Sequence, residues 1–161
     1  MGYYKKAEIC LNGHLISASS SPSNHQAFCT QCGKPTISHC PKCKEQIRGW
    51  FENDGIVILR RKDSFKIPAY CHSCGEPYPW TISALETAKL LIHEEQEISQ
   101  QEIDNLVEVL SDLIIETPKT KLAIVRLKKF LSKATEFTAD GIRQFLIDFG
   151  CEFVLKSMGI K

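Results

Sequence analysis

The chain of 161 residues has no run of about 18 apolar residues, so no transmembrane helix is expected. Its opening, Met1-Gly-Tyr-Tyr-Lys-Lys6, is not a secretory leader, and Lys6 stands where the myristoylation pattern asks for Ser or Thr. A large net charge is missing as well: 20 Lys and Arg face 19 Asp and Glu, for a formal charge of +1. Residues 1–80 carry ten basic and six acidic side chains, a modest excess of +4. This is not the strongly basic footprint of a dedicated nucleic-acid binder. No Gly-rich phosphate loop, nucleophile elbow or His-Glu-x-x-His occurs either. These absences point to a cytoplasmic, non-catalytic protein.

What is present is cysteine. Seven of the eight lie in close pairs of metal-ligating residues, and Cys151 stands alone. The pairs are Cys10 with His14, Cys29 with Cys32, Cys40 with Cys43, and Cys71 with Cys74. Zinc takes four sulfur or imidazole ligands in a tetrahedron, and each close pair on a tight turn supplies one edge. Paired in sequence, Cys10, His14, Cys29 and Cys32 make one site, and Cys40, Cys43, Cys71 and Cys74 a second. Two zinc ions per chain are expected, and the all-cysteine set also suits iron. Gly33 and Gly75 follow their pairs, where a left-handed residue aims backbone N–H groups at sulfur; Lys44 takes that place after the third pair. A cross-braced arrangement, first pair with third and second with fourth, stays open, as do His25 and His39 as rivals of His14. A disulfide framework would need an oxidising compartment, and a redox Cys-x-x-Cys would need a βαβ context that is missing.

The fold class that follows is α+β, with a double zinc-ribbon domain over 1–80 and a helical domain of about four helices over 81–161. Residues 3–14 read as a short strand entering the first knuckle, 17–24 as a polar mobile loop, and 36–38 as an extended bridge. Residues 46–51 and 56–60 flank Glu52-Asn-Asp-Gly55 and predict a hairpin. Tyr78 and Trp80 offer apolar faces to the helices that follow.

Helical periodicity begins at Thr81, with Thr81 or Ser83 as cap, and the first helix is expected to reach about Glu95. Ser99 to Glu102 reads as a second capping box, and one apolar stripe runs from Ile103 to Ile114. Thr117-Pro118 restarts the chain into a third helix. Residues 94–116 hold eight acids and no Lys or Arg, while 119–133 hold six basic residues and no acid. That complementarity predicts that these two helices pair antiparallel. A last helix from Thr138 shows two apolar stripes, Ile142, Phe145, Leu146, Phe149 and Phe153 against Ile147, Cys151, Val154 and Met158. It reads either as a central helix or as the interface with a protein partner or a second copy.

Several segments together resemble an uncharacterised bacterial family, a domain of unknown function with N-terminal zinc ribbons and a helical C-terminal part. They are Ile9 to His14, Phe28 to Gly33, Cys40 to Cys43, Ile47 to Gly49, Tyr70 to Thr81, Glu116 to Lys119 and Arg126 to Lys129. The resemblance implies a double-ribbon, bacterial, cytoplasmic protein and carries no activity.

The function expected is therefore a zinc-binding, non-catalytic interaction module. The alternative is a nucleic-acid-binding zinc ribbon that uses Arg48, Trp50, Arg60, Arg61, Lys62 and Lys66, basic and aromatic residues interleaved on the 48–66 hairpin. Against it, Trp50, Phe51 and Phe65 would simply pack the ribbon. Zinc hydrolysis would return only if the first site kept an open position.

Overall fold

The computed structural model describes residues 2–53 and 65–159. The chain is α+β and divides into two compact units, Met1–Ser83 and Ala84–Lys161.

The first unit is built from five short strands: β1 (Tyr3–Lys6), β2 (Glu8–Cys10), β3 (Leu15–Ser17), β4 (Thr36–Ile37) and β5 (Arg48–Glu52). β3, β2 and β4 form an antiparallel sheet with β2 in the middle. The expected bridge at Thr36–Ile37 is thus a strand, with Ile9 opposite Ile37 and Cys10 opposite Thr36. β1 pairs antiparallel with β5, placing Tyr3 opposite Glu52, Tyr4 opposite Phe51 and Lys6 opposite Arg48. Of the hairpin expected between 46–51 and 56–60, the second strand lies outside the described residues. The N-terminal partner of β5 was not foreseen, since no local turn signal joins residues so far apart in sequence.

Two features lock this unit. A Cβ placed on Gly49 would lie 2.1 Å from the Ala18 carbonyl oxygen, which also accepts from the Trp50 N–H at 2.9 Å. Only glycine permits that approach. Glu8 is 1% exposed, yet its carboxylate accepts from Ser20 Oγ at 2.8 Å, Gln26 N at 3.2 Å and Thr36 Oγ1 at 3.0 Å, and meets His25 Nδ1 at 2.7 Å. Burial pushes this carboxyl up, but the four donors outweigh it and hold it below the usual carboxylate range. The 17–24 stretch, expected to be mobile, is instead tied by Ser20 to a buried acid, and Asn24 bonds to Ser21 N and Ser19 O.

Tyr78 and Trp80 pack in the ribbon core with Ala7, Ile9 and Ile47. Their rings stack at 4.7 Å, and Trp80 Nε1 donates to Pro68 O at 2.9 Å. The helix that follows, α1 (Pro79–His93), starts earlier than expected, with Pro79 as its first residue. Thr81 is no cap: its Oγ1 donates to Ala69 O at 2.7 Å.

The second unit continues with α2 (Gln100–Glu108), α3 (Ser111–Ile114), α4 (Thr120–Leu131), α5 (Glu136–Asp148) and α6 (Glu152–Ser157). Leu106, Leu110, Leu113, Leu127, Ile142 and Leu146 are fully buried in one core. The predicted 103–114 helix is two helices. The chain breaks at Val109 and Leu110, both buried, so packing wins over an uninterrupted apolar stripe. Ser99 does sit at the N-cap of α2, but its side chain makes no cap bond. Glu102 instead binds Lys129 at 2.7 Å and Lys133 at 2.8 Å, and Glu108 binds Arg126 at 2.9 Å. These contacts run in opposite directions along the two helices, as the charge complementarity predicted.

The single last helix is also two. Gly150, at φ +61°, turns the chain between α5 and α6. Cys151 and Val154 of the expected second stripe therefore join the same core as Ile142 and Leu146, while Ile147 and Phe153 are exposed. A buried acid fixes the approach to α5: Glu95 accepts from Thr135 N at 3.1 Å and Thr135 Oγ1 at 2.6 Å, and Thr135 is the N-cap of α5.

Candidate metal centres

Three of the four ligand pairs sit on the same turn. Cys29 N donates to Lys34 O, Cys40 N to Glu45 O and Cys71 N to Glu76 O, each at 2.8 Å. The residues before these cysteines form matching bridges, Phe28 with Pro35, His39 with Gln46 and Tyr70 with Pro77. Each turn ends on a left-handed residue: Gly33 at φ +69°, Gly75 at +72°, and Lys44 at +63°. Lys44 thus adopts the glycine conformation with a side chain attached. The Cys10–His14 turn differs. Gly13 N donates to Cys10 O at 2.8 Å, and His14 N donates to Cys10 Sγ at 3.2 Å.

The turns bring the ligand atoms together in sequential pairs. Cys10, His14, Cys29 and Cys32 form one group and Cys40, Cys43, Cys71 and Cys74 another, with the ligand atoms in each within 4.8 Å of one another. This is the sequential arrangement, not the cross-braced one. His14 Nδ1 lies 3.5 Å from Cys10 Sγ and 3.6 Å from Cys29 Sγ. The rival histidines are engaged elsewhere, His25 with Glu8 and His39 with Ser38 Oγ.

The spacings test whether a metal fits. With Zn–S of about 2.3 Å and Zn–N of about 2.0–2.1 Å, a tetrahedron has S···S edges of about 3.8 Å and S···N edges of about 3.6 Å. Cys10 and Cys32 sulfurs are 3.8 Å apart, Cys40 and Cys74 3.8 Å, and Cys43 and Cys71 3.6 Å. Disulfide sulfurs would be about 2.0 Å apart. The donor sets fit tetrahedral metal sites, and thiolate with imidazole is the chemistry zinc accepts.

Electrostatics point the same way. Burial pushes the Cys29 thiol up, yet the N–H groups of Gln31 and Cys32, with the Cys32 and His14 side chains, bring it down to about 6. Cys71 follows: burial raises it, the N–H groups of Cys74 and Ser73 and the Cys43 side chain lower it, and it settles at about 6. At Cys74 the Glu76 N–H lowers the thiol, but burial and the neighbouring sulfurs push it up to about 12. Crowded sulfurs thus resist collecting negative charge, a conflict that a bound dication removes. Lys42 of one turn pairs with Glu76 of the other across the second centre.

The family described as an uncharacterized protein conserved in bacteria, DUF2321, matches residues 3–158. The chain belongs to this family. No curated protein and no solved structure matches it. The DUF2321 match spans both cysteine groups and the helical unit, in agreement with the resemblance drawn from the knuckles, Ile47 to Gly49 and the Thr117-Pro118 restart.

Of the residues proposed for nucleic acid in this DUF2321 chain, Arg60, Arg61 and Lys62 lie outside the described residues. Trp50 is half-buried and meets Phe65 edge to face at 5.1 Å, which is the packing role. Arg48 is exposed on β5 with its guanidinium 4.7 Å over the Tyr4 ring, and Lys66 is exposed. Sequence reasoning missed Glu8, Gly49 and Tyr4. A glutamate inside Ala7-Glu-Ile9 gives no local sign of burial, and of the Ser-rich stretch after it only Ser20 is a donor. No helix is long and apolar enough to cross a membrane, among the described residues.

Proposed function

We propose that the chain is a zinc-binding, non-catalytic interaction module of the bacterial cytoplasm, in which both metals are structural. One observation carries the reading: each centre draws four ligand atoms from the protein at tetrahedral spacing, leaving no coordination position for water or substrate. A reducing compartment keeps such thiols available to metal. The ribbon presents surface held by the metals, and the helical unit is the part expected to meet a protein partner or a second copy. In favour of that role, Val125, Phe137, Ile147 and Phe153 are exposed apolar side chains on α4, α5 and α6.

Native mass spectrometry of the chain purified without added metal tests the reading. Two zinc ions per chain that resist exchange are expected. One zinc, or a readily exchanged ion at the Cys10–His14–Cys29–Cys32 group, would sink the closed-site reading and return the enzyme. The same spectrum reports whether the chain is a monomer or a dimer.

A further inference from the structure

The β1–β5 ribbon carries exposed rings on a surface that has few acids. Tyr4 is 45% and Phe51 38% exposed, and their rings meet edge to face at 5.0 Å. The Arg48 guanidinium lies over Tyr4, and the register sets Lys6 opposite Arg48. Along the strands stand three cations, Lys5, Lys6 and Arg48, and one acid, Glu52. Lys5 already engages Glu52 at 3.2 Å. Among the described residues neither Lys6 nor Arg48 has an acidic partner, and the charge at this edge is therefore positive beside the aromatic pair.

We propose that this face binds single-stranded nucleic acid, stacking unpaired bases on Tyr4 and Phe51 while Arg48 and Lys6 meet the phosphates. The inference rests on the reading above, that the metals are structural and the chain acts by binding. Rings beside cations are the combination that holds unpaired bases without regard to sequence, because every base has a π face. A duplex hides those faces. It would have to be held by phosphate contacts alone, for which the chain's near-neutral charge offers little. Trp50 turns to Phe65 instead, so of the hairpin's aromatic residues it is Phe51, joined by Tyr4 of β1, that offers the stacking surface.

Fluorescence anisotropy of the zinc-loaded full chain with labelled oligothymidylate and oligouridylate tests this, with bound metal measured in every sample. Saturable binding that weakens with salt is expected. Phe51→Leu and Tyr4→Leu keep apolar area but remove the π face, and each should weaken binding roughly 5- to 150-fold. Arg48→Ala changes an exposed side chain and should weaken binding and reduce the salt slope by about 0.7. It keeps the test decisive if the leucine variants lose metal. No saturable binding at low salt would overturn the proposal. So would unchanged binding in metal-loaded variants, or tighter binding to duplex than to single strands. Failure of binding with two metals retained leaves the structural-metal reading standing, whereas failure to hold two metals removes that reading first.

Discussion

Lys44 occupies the left-handed region at φ +63°, in the place where the two other Cys-x-x-Cys turns use glycine. A side chain there costs about 1–2 kcal/mol, of which glycine's freedom in the unfolded chain takes back about 0.5–1. Lys44→Gly should therefore stabilise the metal-loaded ribbon by about 0.5–1 kcal/mol, read as a higher denaturant midpoint. Gly49 is the opposite case. Its absent Cβ would sit 2.1 Å from the Ala18 oxygen, a backbone atom that cannot rotate away. Gly49→Ala should cost about 3 kcal/mol or more, at the upper end of overpacking, and equilibrium unfolding measures it. The two clusters of candidate ligands were legible because tetrahedral chemistry demands close pairs, and the left-handed turn was legible from Gly33 and Gly75. The buried carboxylate of Glu8 was not, since its partners come from Ser20, His25, Gln26 and Thr36, spread over three other stretches.

Among the elements, the pairing of α2 with α4 was readable from charge alone, because blocks of opposite sign separated by a short connection have one close partner. Lys129 and Lys133 hold the Glu102 carboxyl down to about 2, well below its usual range. A depressed carboxylate stabilises the fold above its unfolded pKa and loses that contribution as pH falls through the folded value. The advantage of the native chain over Glu102→Gln should accordingly be full above about pH 4.5 and fade toward about pH 2. Denaturant titrations of both chains across that window check it, and a difference that grows on acidification would contradict the pairing. Helix breaks were harder to see. Gly150 was available as a stop signal, but apolar periodicity continues through it in Ile147, Cys151 and Val154. The break at Val109 has no glycine or proline, so the sequence offered nothing local to read.

For the whole molecule, the proposed structural metals would give the two units different kinds of stabilisation. The ribbon core of Ala7, Ile9, Ile47, Tyr78 and Trp80 is small, and structural zinc contributes on the order of 10 kcal/mol of apparent binding free energy in such folds. The helical unit has its own apolar core. Both tryptophans, Trp50 and Trp80, belong to the ribbon unit and report on it by fluorescence. Full chelation should red-shift that emission while leaving most of the helical circular dichroism. Emission unchanged after complete metal removal would mean the ribbon stands without its ions. The division into ribbon and helices was evident from the change of periodicity near residue 80, and the α+β class followed from it.

Sequential pairing of the ligands also sets a schedule for synthesis. The Cys10–His14–Cys29–Cys32 group is complete once residue 32 has left the ribosome, whereas the other waits for Cys74. The gaps to be closed are 15 residues from His14 to Cys29 and 28 from Cys43 to Cys71. Loop entropy separates those by only about 0.6 kcal/mol, too little to favour one centre strongly in the finished chain. Were both groups to bind zinc, the first would be complete, and able to capture its ion, before the second has emerged.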